Sequence, residues 1–172
     1  MNRNLTFIDG DMRNVKVGKF DAVITIFNAI GHLTKADFEK ALQNINANLK
    51  DGGIYIFDIF NLQAITDDVI DDFAMDIKNI VNGVNIRNIQ YSEIDRENGL
   101  LISHDHYTIS KEEGEPEIHK NSFSLQIYTA KELQSMLECN GFEVVVQYDM
   151  DGNDFVAEKS LNILTVAKKK SG

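Results

Sequence analysis

Residues 4–61 constrain this chain more than any other stretch. They read as three short apolar runs, at residues 5–12, 20–27 and 53–60. Continuous apolar runs of this length suit parallel strands covered on both faces. A marked helix separates the second run from the third. Thr34 is its N-cap and Asp37 stands three places on, as a weak capping box requires. Phe38, Ala41, Leu42, Ile45 and Leu49 then recur at three and four residues and make one apolar stripe. Gly52 and Gly53 end the helix and start the next strand. The unit is strand–helix–strand, which is right-handed by rule. Ligands of such sheets sit outside the carboxyl ends of the strands. The residues after each run, Asp11 and Met12, Asn28 to His32, and Asn61, are therefore the first to question.

Bulk properties narrow the function. The chain has 172 residues, enough for one domain with a sizeable core. Its formal net charge of −10 argues against a nucleic-acid partner, which needs a basic footprint. The single cysteine, Cys139, allows no disulfide within one chain and fits a reducing interior. No apolar run approaches the ~18 residues of a membrane span, and none opens the chain as a targeting segment. The expectation is a cytoplasmic protein with no membrane partner.

Beyond Asn61 the pattern changes twice. A helix is expected over residues 62–73, with Asp67, Asp68, Asp71 and Asp72 as an acidic cluster; such clusters are usually solvated faces. Residues 84–94, 100–109 and 117–127 read as extended segments. They are divided by Asn98-Gly99, a strong hairpin signal, and by Glu113-Gly114-Glu115-Pro116. Residues 84–127 thus form an antiparallel meander inserted into a parallel architecture. His104 and His106 share one face of it, but no third or fourth ligand stands at a zinc spacing, so no metal site is expected. Next, Thr129 and Glu132 form a full capping box, Tyr128 and Leu133 a hydrophobic staple, and Gly141 a stop. Residues 142–148 and 160–167 read as a terminal antiparallel hairpin, followed by a solvated Lys168-Lys169-Lys170 tail.

No Ser-His-Asp order, Cys-His pair, P-loop or GxGxxG is present. Asp11 and Met12 offer a carboxylate acceptor and a backbone donor suited to a heteroaromatic ring, although a solvated strand end gives the same pattern. His32 is the one imidazole beside a strand end in the parallel part. It suits a base or an amine-orienting group, and equally a turn residue.

Three motifs then become specific together: Gly10-Asp11-Met12-Arg13, FDAVITIFNAIGHL at 20–33 and LKDGGIYIFD at 49–58. The chain resembles class I S-adenosylmethionine-dependent methyltransferases, closest to the small-molecule branch that includes amino-sugar N,N-dimethyltransferases. The meander, the YTAKEL helix start at 128–133 and the last hairpin follow that branch too. The resemblance implies an α/β, Rossmann-like methyltransferase sheet with the inserted meander and a C-terminal hairpin, all in a single domain over residues 1–172. It implies S-adenosylmethionine as cofactor and methyl transfer to an amine or hydroxyl of a small molecule. Asp11 matches the acid that binds the adenine amino group, and Met12 the residue that flanks the ring. Phe27 and Asn28 match positions beside the methionine part, and His32 matches a histidine near the acceptor amine.

The family's strand order is 3-2-1-4-5-7-6, and this sequence starts at what would be the third strand. Its glycine-rich turn and ribose-binding acid have no counterpart, so the domain reads as N-terminally truncated and cofactor affinity is expected to be compromised. Three outcomes are open to the first strand. It pairs elsewhere, as an antiparallel neighbour; it pairs with a second copy, by dimerisation or strand exchange; or the chain is a fragment of a longer product. The competing reading is a non-catalytic methyltransferase-like module that dimerises through its sheet edge.

Overall fold

The computed structural model describes residues 5–111 and 114–171. Its elements run β1 (Phe20–Thr25), a 3-10 turn (Ala29–His32), α1 (Lys35–Asn48), β2 (Leu49–Phe60), α2 (Asp67–Asp72) and β3 (Met75–Val81). They continue with β4 (Val84–Asp95), β5 (Leu100–Ser110), β6 (Glu117–Gln126), α3 (Ala130–Cys139), β7 (Phe142–Tyr148) and β8 (Asn162–Lys169). Two four-stranded sheets result, in the orders β1-β2-β8-β7 and β3-β4-β5-β6.

The first sheet holds the strands expected to form the parallel part. β1 and β2 are parallel, with Val23 beside Tyr55 and Thr25 beside Phe57. β8 lies antiparallel between β2 and β7. With β1 and β2 as the family's fourth and fifth strands, the order is the 4-5-7-6 part of the expected arrangement. The stripe read on α1 is the buried one as far as Ile45: Phe38, Ala41 and Leu42 are fully buried against Tyr55, Phe57 and Phe142 of the sheet and Leu133 and Leu137 of α3, whereas Leu49 opens β2 and Gly52 and Gly53 lie within that strand rather than ending the helix. Phe38 meets Phe57 edge-on at 5.8 Å, and Tyr55 stacks on Phe57 at 4.8 Å. Such side chains contribute about 1.5–3 kcal/mol each when fully buried. The opposite face of the sheet is left open. Ile24 is 59% exposed there, and Ile54, Ile56 and Val166 are only half-buried.

The second sheet is a meander of four strands, each antiparallel to the next. The Asn98-Gly99 turn forms as expected, with Gly99 at φ 67°. The other expected turn includes Glu113, which lies outside the described residues. β3 was not expected from the sequence. It is closed onto β4 by Asn82 and Gly83 at φ 51° and 80°, the two left-handed positions a tight hairpin needs.

Four expectations are corrected. Residues 5–12 form no strand and join neither sheet, antiparallel or otherwise. Leu5, Phe7 and Ile8 are 75%, 92% and 58% exposed. Residues 12–17 are drawn to α1 instead: Asn44 donates to the carbonyls of Met12 and Val15, and the Val17 N–H donates to Asn48. The helix expected over 62–73 shrinks to α2, because the Asn61 carbonyl accepts from Ala64 and Ile65 in a separate turn and the Thr66 hydroxyl caps the helix after it. The closing strand starts at Asn162, since Ser160 is buried and its hydroxyl accepts the Val156 N–H. The lysine run is not a solvated tail, because Lys168 and Lys169 belong to β8 and Lys169 Nζ donates to the carbonyls of Asn46 and Leu49 at 3.0 Å each.

Candidate functional site

The carboxyl ends of β1 and β2 carry the least ordinary backbone in the molecule. Phe27 and Asn28 take φ 63° and 54°, consecutive left-handed conformations that cost a side-chain-bearing residue about 1–2 kcal/mol each. Their anchor is Asp58, near the end of β2 and 1% exposed, whose Oδ2 accepts the Asn28 N–H at 3.1 Å. The Asn162 amide reaches the Asn28 side-chain oxygen from β8 at 3.5 Å. Asp58 Oδ1 is buried and has no hydrogen-bond partner among the described residues. A buried carboxylate oxygen left unmatched is costly, and such groups concentrate at sites completed by a ligand or water. Phe27, 81% exposed, stands clear of the core beside this anchor.

The 3-10 turn comes next and carries His32 on its last residue, exposed. Gly31 lets this turn lie against the meander. A Cβ there would come within 3.0 Å of Ile59 and 3.2 Å of the Gln126 carbonyl. Below, the Tyr55 hydroxyl and Thr25 Oγ1 share a hydrogen bond of 2.7 Å, and burial pushes the Tyr55 phenol well above its usual range.

Of the expected site residues, Phe27, Asn28 and His32 therefore lie together at one strand edge. Asp11 and Met12 lie over α1 instead. The Asp11 carboxylate is held by Arg13 through Nε at 3.0 and 2.9 Å and Nη2 at 2.6 Å, and Arg13 also bridges to Asp37 at 3.1 Å. The hydrogen bonds from Arg13 lower the Asp11 pKa to about 2. A cleft of about 540 Å³ beside Asp11 is walled by Arg13, Asn14, Lys40 and Asn44, and by none of the other four site residues. Asp58 and Asn162 were missed from the sequence. The signal for Asp58 was a charged residue inside an apolar strand, visible but unassigned.

Elsewhere, the His104 ring stacks on Tyr91 at 4.8 Å and bonds the Ser122 hydroxyl through Nδ1 at 2.8 Å. Within the acidic cluster Asp67 is paired with Arg96 at 2.7 Å. Among the described residues no group of three or more His, Cys, Asp or Glu is placed to hold a metal ion. Nor, among them, is any helix long and apolar enough to cross a membrane.

Comparison with known proteins bears on the fold. No family model matches. An uncharacterized protein of Methanocaldococcus jannaschii is 28% identical over 148 residues, which are 86% of this chain and 49% of that protein. Among solved structures, the sugar N-methyltransferase KedS8 of Streptoalloteichus superposes with a TM-score of 0.71 at 17% identity, over 94% of this chain and 61% of its own. An S-adenosylmethionine-dependent methyltransferase of Clostridium acetobutylicum gives 0.69 at 15%, over 94% and 63%. CalS10, an amino pentose methyltransferase of Micromonospora echinaspora, gives 0.68 at 17%, over the same 94% and 63%. The chain thus spans about half the length of its sequence relative and under two thirds of these structures. The fold of this chain is that of the S-adenosylmethionine-dependent methyltransferases.

Proposed function

We propose that this chain is the catalytic-edge part of a cytoplasmic S-adenosylmethionine-dependent methyltransferase that acts on an amine or hydroxyl of a small molecule. One observation carries the reading: within a methyltransferase fold, a strained Phe27–Asn28 turn is held on a buried aspartate whose second oxygen awaits a donor. That acceptor fits the methionine end of the cofactor, whose ammonium group would donate to it. When bound, the cofactor supplies an activated methyl on a sulfonium sulfur. Asp58 fixes the Asn28 backbone, and Phe27 and Asn28 frame that end. His32 accepts the proton released by the acceptor. For Asp11 and Met12, which lie over α1 apart from that end, to hold the adenine of the same cofactor, residues 5–12 must move towards the β1 edge and Arg13 must release the carboxylate. Alignment of acceptor and methyl supplies most of the acceleration in such displacements. The net charge of −10 favours a small molecule over RNA as acceptor.

A second reading rests on β1, which among the described residues is an edge strand, and on the open face beside it, where Phe20, Ile24 and, just past the strand, Ile26 are 43%, 59% and 45% exposed. On this reading the chain is a non-catalytic module that pairs through that edge with a second copy. Calorimetric titration with S-adenosylhomocysteine separates the two. Micromolar binding, weakened in Asp11→Ala, supports the first. A folded dimer that releases no heat supports the second.

A further inference from the structure

A second cavity, distinct from the Asp11 cleft, lies where the carboxyl end of β2 meets the meander. Its volume is about 370 Å³, within the range of about 300–1,000 Å³ usual for small-molecule sites. Three phenyl rings wall it: Phe60 from β2, Phe73 from the end of α2 and Phe123 from β6. Phe60 and Phe73 lie 5.9 Å apart and tilted, so they form one continuous apolar surface. The floor is polar and neutral. Ser92 and Ser103 face each other across β4 and β5 with their hydroxyls 3.1 Å apart, and the Gln90 carboxamide lines the same face. Asp72 is the only ionisable residue in the lining, and it is exposed. Arg96 neutralises Asp67 rather than Asp72. Phe60 follows Asp58 by two residues on the same face of β2, so this wall of the cavity stands about 7 Å along the strand from the anchor of the strained turn.

We infer that this cavity binds an arylalkylamine: a flat apolar ring between the phenyl walls, a hydrogen-bonding group on the serine floor, and an ammonium drawn to Asp72. Aromatic walls favour a ring and tolerate a neighbouring cation. The lining holds no lysine, arginine or histidine, so nothing there would neutralise a phosphate or carboxylate. The cavity selects against anionic ligands by leaving their charge unpaired. Its role as the acceptor site rests on the methyltransferase reading; its ligand chemistry does not.

The chain contains no tryptophan, so all indole emission comes from the added ligand and its blue shift marks the bound fraction. Tryptamine, its neutral analogue tryptophol and the anion indole-3-acetate are titrated separately into the full chain. Tryptamine should saturate with a blue-shifted emission and bind tightest, and indole-3-acetate weakest. Asp72→Asn should weaken tryptamine about threefold, the size of an exposed charge pair, and leave tryptophol unchanged. Phe123→Ala, a change at a 40% exposed position, should weaken tryptamine and tryptophol together. The inference is overturned if no probe binds a chain of unaltered circular dichroism, if the anion binds as well as the cation, or if Asp72→Asn leaves tryptamine unaffected. S-adenosylhomocysteine titrated into the same preparation keeps the two proposals apart. Cofactor binding without tryptamine binding sinks only the cavity, and the reverse sinks only the methyltransferase reading.

Discussion

Phe27 and Asn28 hold positive φ values that nothing in the apolar core requires, and strain of this kind persists only where the surroundings over-determine it. Here the Asp58 carboxylate does so through the Asn28 N–H. If the strain serves ligand binding, Phe27→Gly should raise unfolding stability in urea by about 1 kcal/mol, because glycine takes φ 63° freely, and should lower affinity for S-adenosylhomocysteine. A variant that is less stable and binds equally well would show the turn to be merely structural. Asp11 gives a second test among single residues. Its pKa is lowered from 3.8 to about 2 by the Arg13 hydrogen bonds. A depressed carboxylate pKa adds stability that is present above pH ~4 and lost as pH falls through about 2. The Asp11 side-chain carboxyl carbon, followed by NMR, should therefore titrate near 2, and Arg13→Gln should return it towards 3.8. An unperturbed midpoint in the parent chain would mean that Arg13 does not hold this carboxylate in solution.

Among the elements, the 3-10 turn is the joint between the two sheets. Gly31→Ala should destabilise the chain by about 1–3 kcal/mol, since its new Cβ would press on Ile59 and on the backbone carbonyl of Gln126, which has little room to give. Thermal unfolding measures this, and an unchanged midpoint would mean that the turn can shift at no cost. What the sequence disclosed tracks the range of the forces involved. α1 and α3 were legible because their caps and stripes are local: Thr34 and Thr129 bond residues three places on. The strand at residues 5–12 was misread because apolar character makes a strand only where a partner offers backbone groups, and the Asn44 and Asn48 side chains compete for the segment after it. β3 was missed because every one of its residues is exposed, leaving no burial pattern to read; the Asn82-Gly83 turn was its one sign. The place of Asn28 and His32 just after a strand was legible from the sequence. The Asn28–Asp58 bond was not, since it joins residues thirty apart.

Across the molecule as a unit, one face and one edge of the first sheet are left open by the described residues. Among them β1 pairs only with β2, and its exposed Ile24 continues the half-buried row of Ile54, Ile56 and Val166. Parallel sheets are stable with both faces covered. On the proposed pairing of two copies, the chain should sediment as a dimer, and Ile24→Lys should shift it to the monomer mass with the far-ultraviolet circular dichroism unchanged. A monomer at every concentration in the parent chain would exclude that pairing. Whether the carboxyl edge of β1 and β2 is a cofactor site is decided by calorimetric titration of the full chain with S-adenosylhomocysteine, its mass determined alongside. A cofactor site there should give saturable heat that is weakened by Phe27→Gly. A folded chain that gives no heat up to millimolar ligand would contradict it.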